Sequence, residues 1–153
     1  MNEEALREHL VEILSGGSAH ANVEQALREL PASLAGATIP GFPNTPWRLL
    51  EHIRLAQWDI LEFSRDPAHV SPKFPDGYWP ASDTAPQEQA WSDSVEAICR
   101  DLQSMIDLVR DPTTDLFTPI PHGDGQTILR EALLLADHNA YHLGQLMMLR
   151  RAL

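Results

Sequence analysis

Cysteine is almost missing from this chain: Cys99 is the only one among 153 residues. No internal disulfide can form, so the fold rests on its core, and a reducing compartment is expected. With no basic neighbour placed to activate it, Cys99 reads as a packing residue within an amphipathic helix. Positive charge is also scarce, at 11 basic against 22 acidic residues, which leaves a formal charge of -11. Such a surface repels phosphate backbones and anionic lipid, which argues against nucleic acid and membranes as partners. No apolar run approaches the length of a bilayer span; Ala132 to Ala136 is far too short. The opening Met1-Asn2-Glu3-Glu4-Ala5-Leu6-Arg7-Glu8 has none of the apolar core of a secretory leader, and a cytoplasmic protein is expected. There is no internal repeat, low-complexity tract, phosphate-cradling glycine loop or succession of strands.

What remains is helical periodicity punctuated by proline. Hydrophobic residues make up 43% of the chain, enough for one core, and a single domain over residues 1–153 is expected. Leu6, Leu10, Ile13 and Leu14 form a first apolar stripe that stops at Gly16-Gly17. Ser18 can cap a new start, from which His20, Val23, Leu27 and Leu30 recur at three and four residues before Pro31. This segment reads as one kinked helix or two.

Residues 31 to 46 form a loop dense in proline and glycine. Thr45 followed by Pro46 predicts a helix from Pro46 to Ser64 or Arg65, with Leu49, Ile53, Ala56, Ile60 and Phe63 facing inward and His52 on the same stripe. Residues 66 to 86 form a long connection suited to a binding loop or a structural crossover, with Trp79 its best candidate for a pocket residue. Thr84 and Gln87 have the spacing of a capping box, opening a helix lined by Trp91, Val95, Ile98, Leu102, Met105 and Val109 and closed at Asp111-Pro112. Thr127 is read as the cap of the last helix. Together these segments predict an all-α four-helix bundle.

In the last helix His138 and His142 stand four residues apart on one face with Leu149, and with Leu134 or Leu135 and Gln145 or Leu146. A pair at this spacing points two imidazoles the same way, about 6 Å apart along the axis, either to share a cation or to pack in the core. His52 lies on the inward face of a different helix, so three neutral nitrogen ligands could converge between helices. Such a set suits zinc, nickel or ferrous iron and leaves positions for water and substrate.

These residues carry a resemblance. The segment Leu50-Glu51-His52-Ile53, the motif Asp137-His138-Asn139-Ala140-Tyr141-His142-Leu143-Gly144-Gln145-Leu146 and the order of helices and loops between them resemble the DinB-like family. Those metal-binding four-helix bundles include bacillithiol transferases and mycothiol-dependent maleylpyruvate isomerases. The resemblance implies His52, His138 and His142 as ligands of a divalent metal, a homodimer, and metal-dependent transfer involving a small thiol. Metal-dependent hydrolysis and a non-catalytic, stress-response role are the competing expectations.

Other polar residues carry two readings each. His20 is either a proton carrier lining the cavity or a satisfied core histidine. Gln145 and Asn139 either orient substrate or support a ligand, or else make interhelical hydrogen bonds. Asp59 supports the site from behind or lies on the surface. His9 and His69 are read as surface, and His122 as a loop histidine without a site role.

Overall fold

The computed structural model describes residues 2–16, 18–28 and 30–153. Among them run five helices: α1 (Glu3–Ser15), α2 (Val23–Arg28), α3 (Pro46–Arg65), α4 (Glu88–Arg110) and α5 (Ile128–Ala152). No strand occurs among the described residues beyond one isolated bridge between Pro119 and Thr127. Four long helices form the bundle. α3 and α1 each pack against both α4 and α5, and the short α2 lies against the same two helices.

The first segment is therefore two helices. Gly16 closes α1 with φ of 66°, its N–H bonded back to the carbonyls of Glu12 and Ile13; glycine adopts that left-handed conformation without a Cβ penalty. Its neighbour Gly17 lies outside the described residues. Ser18 does not cap the next helix, since its hydroxyl donates to Glu12. The cap is Asn22, whose side chain accepts from the N–H of Gln25 at 2.8 Å while Gln25 accepts from the N–H of Asn22 at 3.2 Å. That reciprocal pair satisfies two otherwise orphaned donors. α2 then begins at Val23, so His20 falls before it, exposed, outside the stripe predicted to include it.

α3 starts as predicted. Thr45 accepts from the N–H of Arg48 and donates to the carbonyl of Asp83, which ties the long connection to the start of the helix. The capping box predicted at Thr84 and Gln87 does not form: α4 begins at Glu88 without a side-chain cap. Pro86 disfavours helical backbone at Ala85, and the Thr84 hydroxyl pairs instead with that of Ser82. α4 ends at Asp111, and Thr127 caps α5 by accepting from Arg130. The core contains Leu49, Leu50, Ile53, Leu61, Ile98, Met105, Leu116, Leu135, Leu146 and Leu149, all fully buried. Phe63 and Val95, predicted on the inward stripes, are only half-buried.

One buried charge ties α1 to the C-terminal end of α4. The guanidinium of Arg7, only 8% exposed, donates to the carbonyls of Val109, Asp111 and Thr114 at 2.7, 2.9 and 2.6 Å. These carbonyls belong to the last turn of α4 and the chain just beyond it, where acceptors lack partners and a cation is favoured. Charge-assisted bonds of this kind contribute about 1.5–3 kcal/mol. Arg7→Ala is expected to lower folding stability by about 2 kcal/mol, read as a lower urea midpoint.

Candidate metal centre

α3 and α5 pack side by side, and each brings its histidines to the seam. Thr45–Pro46 sets the register of α3 so that His52, two turns in, faces inward between Leu49 and Ile53. Along α5 the same face carries Leu135, His138, His142, Leu146 and Leu149. His52 and His142 are buried, and His138 is half-buried. The three rings converge: His52 Nε2 lies 3.1 Å from both His142 Nε2 and His138 Nε2, and the three ligand atoms all lie within 4.8 Å of one another.

The outer nitrogens show how the protons are placed. His52 Nδ1 is 2.8 Å from the carbonyl oxygen of Tyr78, which can only accept, so that nitrogen carries the proton. His142 Nδ1 is 2.8 Å from Gln145 Oε1, and the same argument puts its proton on Nδ1. Both rings, when neutral, therefore present bare Nε2 lone pairs to each other at 3.1 Å. Such a contact is repulsive unless a cation or a proton sits between them.

His138 is the exception. Its Nδ1 is buried and, among the described residues, has no hydrogen-bond partner. It is the one ring that can place its proton toward the centre, which leaves at most one proton among three nitrogens. Burial, the larger effect, and then the neighbouring His142 and His52 push its pKa down to about 4. Burial also lowers His52 and His142, against their Nδ1 hydrogen bonds to Tyr78 and Gln145.

The donor set fits a divalent ion. With ligand nitrogens at about 2.0–2.1 Å from a metal, angles between octahedral and tetrahedral place neighbouring nitrogens about 2.9–3.4 Å apart. The two separations from His52, 3.1 Å each, fall in that interval; the third pair, His138 and His142, is wider, the set being bounded at 4.8 Å, so these two rings would close on a bound ion. Neutral imidazoles with orienting acceptors behind them are what such an ion requires.

Around the triad stand residues of less regular segments. The indole of Trp79 stacks flat on His52, ring centroids 3.9 Å apart and planes parallel, and the guanidinium of Arg48 lies 5.6 Å from the indole ring. Trp79, the connection's expected pocket residue, is thus placed against a histidine of the triad. The ring of Tyr141 meets His142 edge-on at 4.8 Å.

Behind His52 lies a second layer that the sequence reading missed in part. Asp59 is buried; one carboxylate oxygen accepts from the Tyr78 hydroxyl at 2.6 Å and the other pairs with His69 Nε2 at 2.7 Å. Burial, then the bond to Asp59 and its charge, push the Tyr78 phenol up, so it stays protonated and remains a donor. Tyr78 is thus held at its hydroxyl by Asp59 while its own carbonyl orients His52. His69, expected at the surface, has a side chain only 7% exposed and lies edge-on to Trp58.

The other candidates lie elsewhere. His20 is not brought to the triad: it is exposed, with Nδ1 against the Ala21 carbonyl, and borders a shallow groove with His9 and Glu12. It lines no cavity shared with the triad and is not a core histidine. His122 donates to the carbonyl of Phe63 at 2.8 Å from an exposed loop. Asn139 makes the expected interhelical bond, donating to Gln57, which itself donates to the carbonyl of Ile98. Glu51 pairs with Arg54 and Ser94 rather than with a ring of the triad.

Fold and site together define a helical bundle with three convergent imidazoles between two of its helices. The chain belongs to the DinB superfamily, whose family model matches residues 18–146, a span that holds all three histidines. Members of that family generally bind metal, and His52, His138 and His142 could hold an ion here. Neither a curated protein nor a solved structure matched the chain. No described helix is long and apolar enough to cross a membrane.

Proposed function

We propose that the chain binds one divalent metal ion through the Nε2 atoms of His52, His138 and His142 and uses the site for transfer chemistry on a small thiol and an electrophilic partner. The observation that carries this reading is the contact between His52 and His142, whose proton-free nitrogens face each other at 3.1 Å. A bound ion with only three protein ligands would lower the pKa of a thiol or water that joins it, or polarise a substrate oxygen. Zinc and nickel suit the all-nitrogen set, and ferrous iron is the third choice.

The chain's own residues perform the rest. The Tyr78 carbonyl and Gln145 keep the protons of His52 and His142 on Nδ1, and Trp79 supplies a flat apolar wall beside His52. Gln145 therefore serves as a ligand-orienting residue. Asp59 and His69 fix the loop that carries both Tyr78 and Trp79.

The test is a turnover assay. Metal-loaded protein is offered electrophiles together with several low-molecular-weight thiols, beside the His142→Ala variant. Metal-dependent consumption of a thiol, lost in the variant, supports the transfer reading. Ester or amide hydrolysis without any thiol replaces it with a hydrolase. Absence of turnover, with the ion still bound, leaves a protein that binds metal without catalysis.

A further inference from the structure

The orphaned nitrogen of His138 has a counterpart. Among the described residues two buried side-chain polar atoms lack a hydrogen-bond partner, His138 Nδ1 and Asn139 Oδ1. They are complementary, since an imidazole nitrogen can carry a proton and an amide oxygen can only accept one. Leaving a polar atom buried and unpaired costs about 1–3 kcal/mol, so two of them on successive residues call for an explanation. Asn139 is only 5% exposed, and its oxygen does not face bulk solvent. The orientation of its amide is set from the far side of the bundle. The carbonyl of Ile98, in α4, is an acceptor, so the Gln57 group 2.6 Å from it is the NH2. The Gln57 oxygen then faces Asn139 at 2.8 Å, and Asn139 must present its own NH2 there. These two constraints in succession leave the oxygen of Asn139, not its nitrogen, as the free end. At the ring, Nε2 must be bare to bind an ion, and a neutral imidazole then keeps its proton on Nδ1. Burial, then His142 and His52, lower the pKa of this ring, and the Asn139 side chain is the group that opposes them.

We infer that Asn139 is a positioning residue of the metal centre, its Oδ1 accepting the Nδ1 proton of His138 when the triad holds an ion through Nε2. The inference rests on the metal reading proposed above and extends it. Each ring of the triad then has an acceptor behind it: the Tyr78 carbonyl for His52, Gln145 for His142 and Asn139 for His138. The third acceptor differs in what stands behind it. A line of hydrogen bonds runs from Asn139 through Gln57 to the backbone of Ile98, joining α5, α3 and α4. Ion binding therefore satisfies both orphaned atoms together and couples the site to α4, a helix that supplies no ligand.

Heteronuclear NMR of isotope-labelled, zinc-loaded wild-type protein tests this without any variant. Directly bonded proton signals are expected on Nδ1 of all three rings. Two substitutions then separate positioning from packing. Asn139→Leu keeps the volume and removes the acceptor; zinc affinity, measured by competition with a chelator, is expected to fall about 10–100-fold. Asn139→Asp keeps an acceptor for His138 but loses the NH2 that bonds Gln57, so its urea midpoint should fall while zinc is held at least as tightly as in wild type. A role confined to packing would move zinc affinity and urea midpoint together in both variants. Zinc bound with no proton on His138 Nδ1, an unchanged affinity in Asn139→Leu, or an affinity in Asn139→Asp as weak as in Asn139→Leu would each overturn the assignment and leave the metal centre standing. Wild-type protein that takes up no zinc would overturn the metal centre, and this assignment with it.

Discussion

Replacing His138 with alanine is expected to strip the protein of its divalent ion. Wild-type protein purified without chelator should carry one equivalent by elemental analysis, and the variant should carry almost none. Losing one of three nitrogen ligands removes far more than an outer-layer contact, whose loss typically costs 10–100-fold in affinity; a decrease on the order of 10³-fold, about 4 kcal/mol, is expected. The fold should survive. His138 is half-buried, and among the described residues its Nδ1 has no hydrogen-bond partner to lose. Asp59→Ala offers a graded comparison, since it frees Tyr78 without touching a ligand. Equal metal content in wild type and His138→Ala would refute the site.

Acid should weaken the metal-free protein steeply, and through the same three rings. In the unfolded chain each histidine takes up a proton near pH 6.5, whereas burial holds all three native rings below that value. Between the unfolded and native values the unfolded chain binds more protons, so stability rises with pH across that window. The contribution is fully present above about pH 6.5 and is lost as pH falls through the native values. For His138, held down to about 4, the gap corresponds to about 3 kcal/mol. Urea midpoints of metal-free protein should fall markedly from pH 7 to pH 4.5, with a smaller fall in His138→Ala. Identical slopes in the two proteins would show that the ring does not carry the effect. The same depression means that protons hardly compete with a metal at neutral pH.

The triad was legible because its signals are local. His138 and His142 repeat at one helical turn, and His52 sits on a stripe whose start Thr45 and Pro46 mark; helical periodicity then places all three rings inward. Gln145 could be singled out by the same turn geometry, although only coordinates show its oxygen on His142 Nδ1. His69 and Asp59 were misjudged or left open because His69 follows Pro67 in an irregular connection, where no period says which way a side chain faces. Arg7 went unnoticed for a related reason: its acceptors lie more than a hundred residues downstream, and nothing near Arg7 announces them. His20 shows the opposite error. Its spacing to Val23 and Leu27 continued the stripe on paper, but Asn22 starts the helix after it and breaks the period. Ser18 and Thr84 were plausible caps whose hydroxyls found closer partners, and Pro86 moved the start of α4 to Glu88.

The indole lying flat on His52 also has an optical consequence. Emission from an indole is sensitive to a charge placed against its π-face, and Trp79 is in ring-to-ring contact with a site histidine. Trp47 and Trp91 are buried in the core, and Trp58 faces His69. Trp79 fluorescence, isolated by difference against Trp79→Phe, therefore gives a built-in titration signal for whatever arrives at the three imidazoles.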